Sequence, residues 1–263
     1  MNIVVCIKQV PSTEEIQKVK INPQNNTLIR EEIENIINPF DENAIEEALR
    51  IREKKGGKII IISMGPSHAK KSLERALAMG ADEAVLLNDA LFAGSDTLAT
   101  SYTLSRAIRK IGKFDLILLG KQAIDGDTAQ VGPGVAEWLN LPQITYARKI
   151  DIDGNKVISE RILEDSFEVV EAPLPALVTV TKEINEPRYP SLKGFLGARK
   201  KKITVWTSDD LTIDKKRIGL NGSPTQVIKI FTPQSPQKGE ILSGEILDIA
   251  DKLIECLEKK KII

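Results

Sequence analysis

Histidine is almost missing from this 263-residue sequence, with His68 alone, and cysteine is nearly so, with Cys6 and Cys256. Aromatic residues make up only 4% of the chain, too few for ring stacking on Trp or Tyr to be the main holder of a ligand. The two cysteines fall in a predicted strand and a predicted terminal helix, with no C-x-x-C pair. That pattern speaks against a disulfide framework or a zinc site and for a reducing compartment. H-E-x-x-H, G-x-S-x-G and G-x-x-x-x-G-K-[ST] do not occur, so any chemistry falls to a bound cofactor. Net charge is absent too: 37 basic residues face 37 acidic ones, leaving no field to draw the chain onto nucleic acid or anionic lipid. No apolar run approaches the roughly 18 residues of a membrane span. The opening Ile3-Val4-Val5-Cys6-Ile7 reads as a first strand rather than a targeting segment, and the expected location is cytoplasmic.

What is present is alternation. Short apolar runs rich in branched residues, at 3–7, 58–63, 84–87 and 115–119, predict buried strands. Between them lie amphipathic helical patterns. Asp41 is placed to cap the first, carrying Ala44, Ile45, Ala48, Leu49 and Ile51; Ser67 the second, which Gly80 ends; Ser95 the third; a fourth spans about 128–139. Strands alternating with such helices predict an α/β, Rossmann-like parallel sheet with helices on both faces. Ligands of such sheets sit beyond the carboxyl ends of the strands, here the loops after Ile7, Ser63, Leu87 and Leu119. Beyond about residue 145 the texture changes. Asp153-Gly154 between two apolar runs predicts a β-hairpin extension. Residues 176–182 read as a further strand, 185–197 as a Pro-bearing loop, and 199–202 as a basic strand start. A Gly/Pro/Ser-rich stretch, 221–239, reads as a linker before a C-terminal amphipathic helix at about 243–259. Its apolar stripe packs either on a partner subunit or back on its own domain.

Residues 120–134, G-K-Q-A-I-D-G-D-T-A-Q-V-G-P-G, follow a buried strand and open a helix, where free amides and the helix dipole favour a phosphate. Gly126 permits close approach, and Thr128 and Gln130 offer side-chain bonds. Asp125 and Asp127 complicate a phosphate cradle, so at least one must turn away, cap the helix or bind something else. An ordinary capped turn accounts for the local pattern equally well. The loops Asn38-Pro39-Phe40-Asp41 and Ser63-Met64-Gly65-Pro66 likewise read either as plain turns or as ligand walls. Lys8 reaches a phosphate or is a surface charge, and His68 has no assigned role.

Six segments occur together and in order: V-C-I-K-Q-V (5–10), N-P-F-D-E-N-A-I-E-E-A (38–48), A-L-A-M-G-A-D (76–82), L-L-G-K-Q-A-I-D-G-D (118–127), N-E-P-R-Y-P-S-L (185–192) and K-K-K-I (200–203). Through them the chain resembles the β subunit of electron-transfer flavoproteins over nearly its whole length. The resemblance implies an adenine nucleotide α-hydrolase-like domain paired with an FAD-carrying α subunit. It implies domains 1–220, binding nucleotide or FAD and including the hairpin and a recognition loop at 185–197, and 221–263, a linker and helical arm packing on the α subunit. Two branches exist. In one the β subunit holds a structural AMP and the complex docks an acyl-CoA dehydrogenase. In the other, electron-bifurcating branch it holds a second FAD and takes electrons from NADH. It then sends one electron to ferredoxin or flavodoxin and the other, through the α-subunit FAD, to a partner flavin dehydrogenase.

By motif match the nucleotide site implied is Cys6, Asn38, Phe40, Asp41, Met64 and the loop Gly120, Lys121, Gln122, Ala123, Ile124, Asp125, Gly126, Asp127 and Thr128, with Gln130 beside it. The form D-G-D-T-A-Q-V-G-P, the segment 93–101 and Ile162 after Glu160-Arg161 resemble the bifurcating branch, which places Asp96, Thr97 and Thr100 near the second flavin. The recognition loop implies partner contact through Leu192, with Tyr189 and Pro190 beside it; an ordinary turn with a half-buried leucine is the plainer alternative. The basic run 199–202 reads as a solvated strand start or as a rim steering an acidic partner.

Overall fold

The computed structural model describes residues 1–12, 21–22, 27–28, 34–228, 239 and 241–263, which fall into two compact units, Met1–Ile228 and Lys229–Ile263. In chain order the first unit holds β1 (Asn2–Ile7), β2 (Gln9–Pro11), β3 (Ile21–Asn22), β4 (Thr27–Leu28), β5 (Asn35–Ile37), α1 (Pro39–Lys55), β6 (Lys58–Met64), α2 (Lys70–Met79) and β7 (Glu83–Leu87). It continues with α3 (Thr97–Ile111), β8 (Leu116–Gly120), α4 (Val131–Leu139), β9 (Gln143–Asp153), β10 (Lys156–Ile162), β11 (Phe167–Pro173), β12 (Ala176–Val180), α5 (Leu192–Ala198) and β13 (Ile203–Trp206). The second unit holds α6 (Ile246–Lys259).

The main sheet runs β11-β10-β9-β12-β8-β1-β6-β7-β13. From β9 through β13 every neighbouring pair is parallel, and β10 and β11 add an antiparallel extension. The inner parallel strands β1, β6, β7, β8 and β12 are largely buried on both faces, which is why they read as unbroken apolar runs. Alternate residues supply two cores. Ile3, Val5, Ile59, Ile61, Leu116 and Leu118 meet Ile45, Leu49, Leu73 and Leu77 of α1 and α2. Val4, Cys6, Ile62, Ile117 and Leu119 meet Tyr102, Ile108, Val135 and Ala136 of α3 and α4. The α/β expectation is met, and so is the hairpin, with Gly154 at φ 54° in its turn.

Local expectations failed where tertiary partners intervened. Helix α1 starts at Pro39, with Asn38 at its N-cap and no side-chain capping bond; Asp41 is inside the first turn and its carboxylate serves other loops. Ser67 caps nothing: a short 3₁₀ turn, Ser67–Ala69, precedes α2. Asp96, not Ser95, caps α3 by accepting from the amides of Leu98 and Ala99. Asp127 and Ala129 have φ 49° and 53°, left-handed values that delay α4 to Val131. The expected loop at 185–197 contains helix α5, and the basic run 199–202 precedes β13 rather than starting it. Of the expected linker, residues 229–238 lie outside the described residues.

Candidate functional site

Strand order places the site. From β1 the chain crosses by α1 to β6, whereas β7 returns by α3 to β8 on the other side of β1. The boundary between β1 and β8 is therefore a topological switch point, where the loops leave a crevice beyond the carboxyl ends. Residues Asn38 and Asp41 close its floor. The Asp41 carboxylate accepts from the amide of Lys8 (2.7 Å) and the amide of Gly120 (3.0 Å), tying the ends of β1 and β8 to α1. Asn38 Nδ2 donates to the Gln122 carbonyl (2.8 Å), and Asn38 Oδ1 accepts from the Ile124 amide (3.1 Å). Both side chains are nearly fully buried, so each bond is made away from competing water.

The loop held this way projects toward α4. Gln122 Nε2 donates to Asp127 Oδ1 (2.6 Å), and the Asp127 amide donates to the Ala123 carbonyl (2.9 Å). The amides of Thr128, Ala129 and Gln130 donate to no acceptor among the described residues, and they stand at the start of α4. Thr97 Oγ1 donates to Gln130 Oε1 (3.0 Å), which holds the N-terminus of α3 beside that of α4. Two helix dipoles thus present their positive ends to one space. That space is a cavity of about 1180 Å³. Its walls come from the ends of β1, β6, β7 and β8, the segment 92–104, the loop 120–132 and residues 224–227.

Of the residues implied by motif, Cys6, Asn38, Asp41, Met64, Asp96, Thr97, Thr100, Gly120, Lys121, Gln122, Ala123, Gly126, Asp127, Thr128 and Gln130 lie on this wall. Phe40, Ile124 and Asp125 do not. Phe40 stacks under the Lys121 ammonium, 5.3 Å from the ring centre. Asp125 receives Lys8 Nζ at 2.7 Å, which engages Lys8 and removes one of the two carboxylates that complicated a phosphate cradle. The other, Asp127, stays on the wall. Phe92 is the single aromatic residue lining the cavity among the described residues. Pro224, Thr225, Gln226 and Val227 lie within the stretch read as linker, and no local sequence signal marked them.

Burial pushes the Asp41 carboxyl up to about 7, even though the Lys8 amide, the Asn38 side chain and the Gly120 amide all favour its ionised form. Burial, with Asp41 adding to it, also pushes the Cys6 thiol far up, so it stays protonated and unreactive. The Asp41 shift has a sign. An acid whose folded pKa exceeds its unfolded value contributes stability that is fully present below the unfolded pKa, about 3.9, and is lost as pH rises through the folded one. Wild-type stability should therefore fall by up to about 1.4 kcal/mol per pH unit from this group as pH rises from about 4 toward 7. Asp41→Asn should remove that slope. Urea unfolding of both proteins from pH 5 to 8 checks it, and parallel curves would contradict it.

On its other side α1 carries the 185–192 segment. Asn43 Nδ2 donates to the Asn185 carbonyl (2.8 Å), and Asn185 Nδ2 donates to Glu47 Oε2 (3.1 Å). Arg188 bridges Glu46 (2.7 Å) and Glu53 (2.5 Å). Burial alone would raise Glu46, but Arg188 and Arg50 hold its carboxyl below the usual range. On this footing Tyr189 and Leu192 stand out at 89% and 78% exposure, with Phe195 and Leu196 also exposed on α5, while Pro190 is half-buried.

Comparison with known proteins supplies a family. The model of the electron transfer flavoprotein domain matches residues 25–211. An electron transfer flavoprotein subunit beta from Thermoanaerobacterium thermosaccharolyticum is 54% identical over the whole of both chains. The caffeyl-CoA reductase-Etf complex subunit CarD of Acetobacterium woodii is 47% identical, again over the whole of both. Protein FixA of Azorhizobium caulinodans is 43% identical over 99% of this chain and 95% of its own.

Proposed function

The chain belongs to the β-subunit family of electron transfer flavoproteins, and from that premise we propose that it holds FAD in the cavity at the switch point and works with an FAD-carrying α subunit. It takes electrons from NADH and divides them between ferredoxin or flavodoxin and, through the α-subunit flavin, a partner flavin dehydrogenase. The observation that carries the FAD reading is the extent of the cavity. At about 1180 Å³ it exceeds the roughly 300–1,000 Å³ of pockets that take one small ligand. Beyond the 120–130 loop the wall continues through 92–104 and 224–227, room that suits a dinucleotide.

The residues suit such a ligand. The free amides of Thr128, Ala129 and Gln130 at the start of α4 favour negative charge such as that of a phosphate. Gly126 has nothing within 4 Å of where a Cβ would stand, so a ligand can approach its backbone. When bound, a flavin supplies hydride acceptance and one-electron release, chemistry that no side chain here offers. The protein orients it and holds the charge, with Asn38 and Asp41 keeping the phosphate loop in place. Counting cofactors in the denatured complex of this chain with its α subunit tests the reading. Two FAD and no AMP are expected; one FAD and one AMP would instead make this chain a non-bifurcating subunit with a structural nucleotide.

Leu192 is the proposed anchor for the partner dehydrogenase, with Tyr189 and Pro190 flanking it. Leu192→Ala should leave stability within about 0.5 kcal/mol, because the side chain is exposed. Electron transfer to the dehydrogenase should fall roughly five- to thirtyfold, the effect of losing an interfacial anchor. Flavin content must stay constant; its loss together with coupling would sink the assignment. Of the expected arm, 221–263, residues 221–228 belong to the first unit, and the part beyond them, with helix α6, is proposed to pack on the α subunit.

A further inference from the structure

The stretch after β13 returns to the cavity and is tied there by a few polar bonds. Ser95 Oγ accepts from the Gly219 amide (3.2 Å). Ser223 Oγ donates to the Gly219 carbonyl (2.6 Å) and accepts from the Asp96 amide (2.9 Å). Asp96 Oδ2 then accepts from both the amide (3.1 Å) and the hydroxyl (2.9 Å) of Thr225. Its other oxygen, Oδ1, is spent on the amides of Leu98 and Ala99 at the start of α3. Four donors from two elements converge on one side chain, which only a carboxylate can satisfy; Ser or Asn could cap the helix but not also hold the strap. Burial alone would raise this carboxyl, but those four bonds hold it below the usual range.

Beyond Thr225, residues 226–228 make no hydrogen bond among the described residues, and Val227 is 80% exposed, yet Pro224, Thr225, Gln226 and Val227 all face the cavity. Charge says what this end receives. Asp89 and Asp96 both stand on the wall here, and Asp89 too is held below the usual carboxylate range, by the Ser208 hydroxyl and the Leu91 amide. Two ionised carboxylates repel a phosphate. The neighbouring Phe92, Ala93, Leu98, Pro224 and Val227 favour an uncharged, largely apolar ring.

The geometry points to residues 224–227 as a wall of the ligand site that closes on a planar ring system at the end away from the phosphate loop, with Asp96 as the positioning residue that latches it. This inference rests on the reading of the cavity as a dinucleotide site. The strap must part from Asp96 for the ring to leave, so the latch sets the release rate. Thr225→Val removes one of its two donors and keeps the shape; Thr225→Ser keeps the donor; Asp96→Asn cannot accept both pairs of bonds.

The test uses the complete complex and follows release of the flavin present beyond one per complex, on dilution, by its fluorescence. Thr225→Val and Asp96→Asn should release it about tenfold faster, the change that accompanies about 1.4 kcal/mol of lost holding energy. Thr225→Ser should match wild type, and the two Thr225 variants should melt together, which a merely structural role of the hydroxyl would not produce. Equal release from Thr225→Val and Thr225→Ser, with the second flavin present, overturns the latch alone. A wild-type complex carrying AMP and a single flavin overturns the dinucleotide reading and the latch with it.

Discussion

Asp41→Ala is expected to strip the cavity of nucleotide, to below about a tenth of the wild-type content, while lowering stability only modestly. The two effects differ because of what the carboxylate does. Its removal leaves the amides of Lys8 and Gly120 without an acceptor, at about 1–3 kcal/mol each for buried donors. Against that, a carboxyl pushed up to about 7 by burial is itself costly to keep in the fold, and its loss offsets roughly half of the penalty. The net fall should be about 1–3 kcal/mol by urea unfolding near pH 7. Nothing offsets the loss at the site, where the ends of β1 and β8 are no longer fixed to α1. Cofactor content of the purified complex is the deciding measurement. A variant that retains full nucleotide would mean that Asn38 alone holds the loop.

Gly120→Ala should be strongly damaging. A Cβ there would lie 2.5 Å from Phe40 Cβ and from Asp41 Oδ1, and 2.7 Å from the Phe40 carbonyl carbon. The obstacle is largely the first turn of α1, which cannot swing aside like a flexible side chain. Overpacking of this kind costs about 1–3 kcal/mol, and separating the helix from β8 also breaks the bond from the Gly120 amide to Asp41, about 1 kcal/mol more. A loss of about 2–4 kcal/mol is expected, together with nucleotide. Gly126→Ala is the matched control. Its Cβ meets nothing, so stability should change by no more than about 0.5 kcal/mol, and any effect should be confined to ligand affinity. Similar melting curves for the two variants would contradict this account.

The strands and helices were largely legible because a parallel sheet buried on both faces needs continuous apolar strands, and 3–7, 58–63 and 115–119 are too short for helices and rich in branched or apolar residues. The caps were not. Asp41 has the residue type and position of an N-cap, but two amides far along the chain claim its carboxylate, a competition local pattern cannot show. Strand β11 went unseen because its residues keep no period of two: Phe167, Val169 and Glu171 share one face and Glu168, Val170 and Ala172 the other, so neither face is uniformly apolar. The motifs located the cavity well but mixed walls with joints: Ile124 and Asp125 brace the loop from behind. Pro224 to Val227 carried no signal, since their place is fixed by Asp96, more than a hundred positions earlier.

Helix α1 has one further consequence, for anyone who would transplant parts of this protein. Its first residues clamp the loops around the cavity, and its middle turns grip Asn185 and Arg188 beneath Tyr189 and Leu192. The acidic run along it looks like an ordinary solvated face, yet Glu46 and Glu47 are buried and spoken for. A chimaera that imports only 185–198 from a relative therefore receives a loop without its footing. The smallest exchangeable cassette is that segment together with residues 39–55, and the cassette brings part of the cavity floor with it. Under the proposed function, partner choice and cofactor retention become linked traits, inherited through one helix.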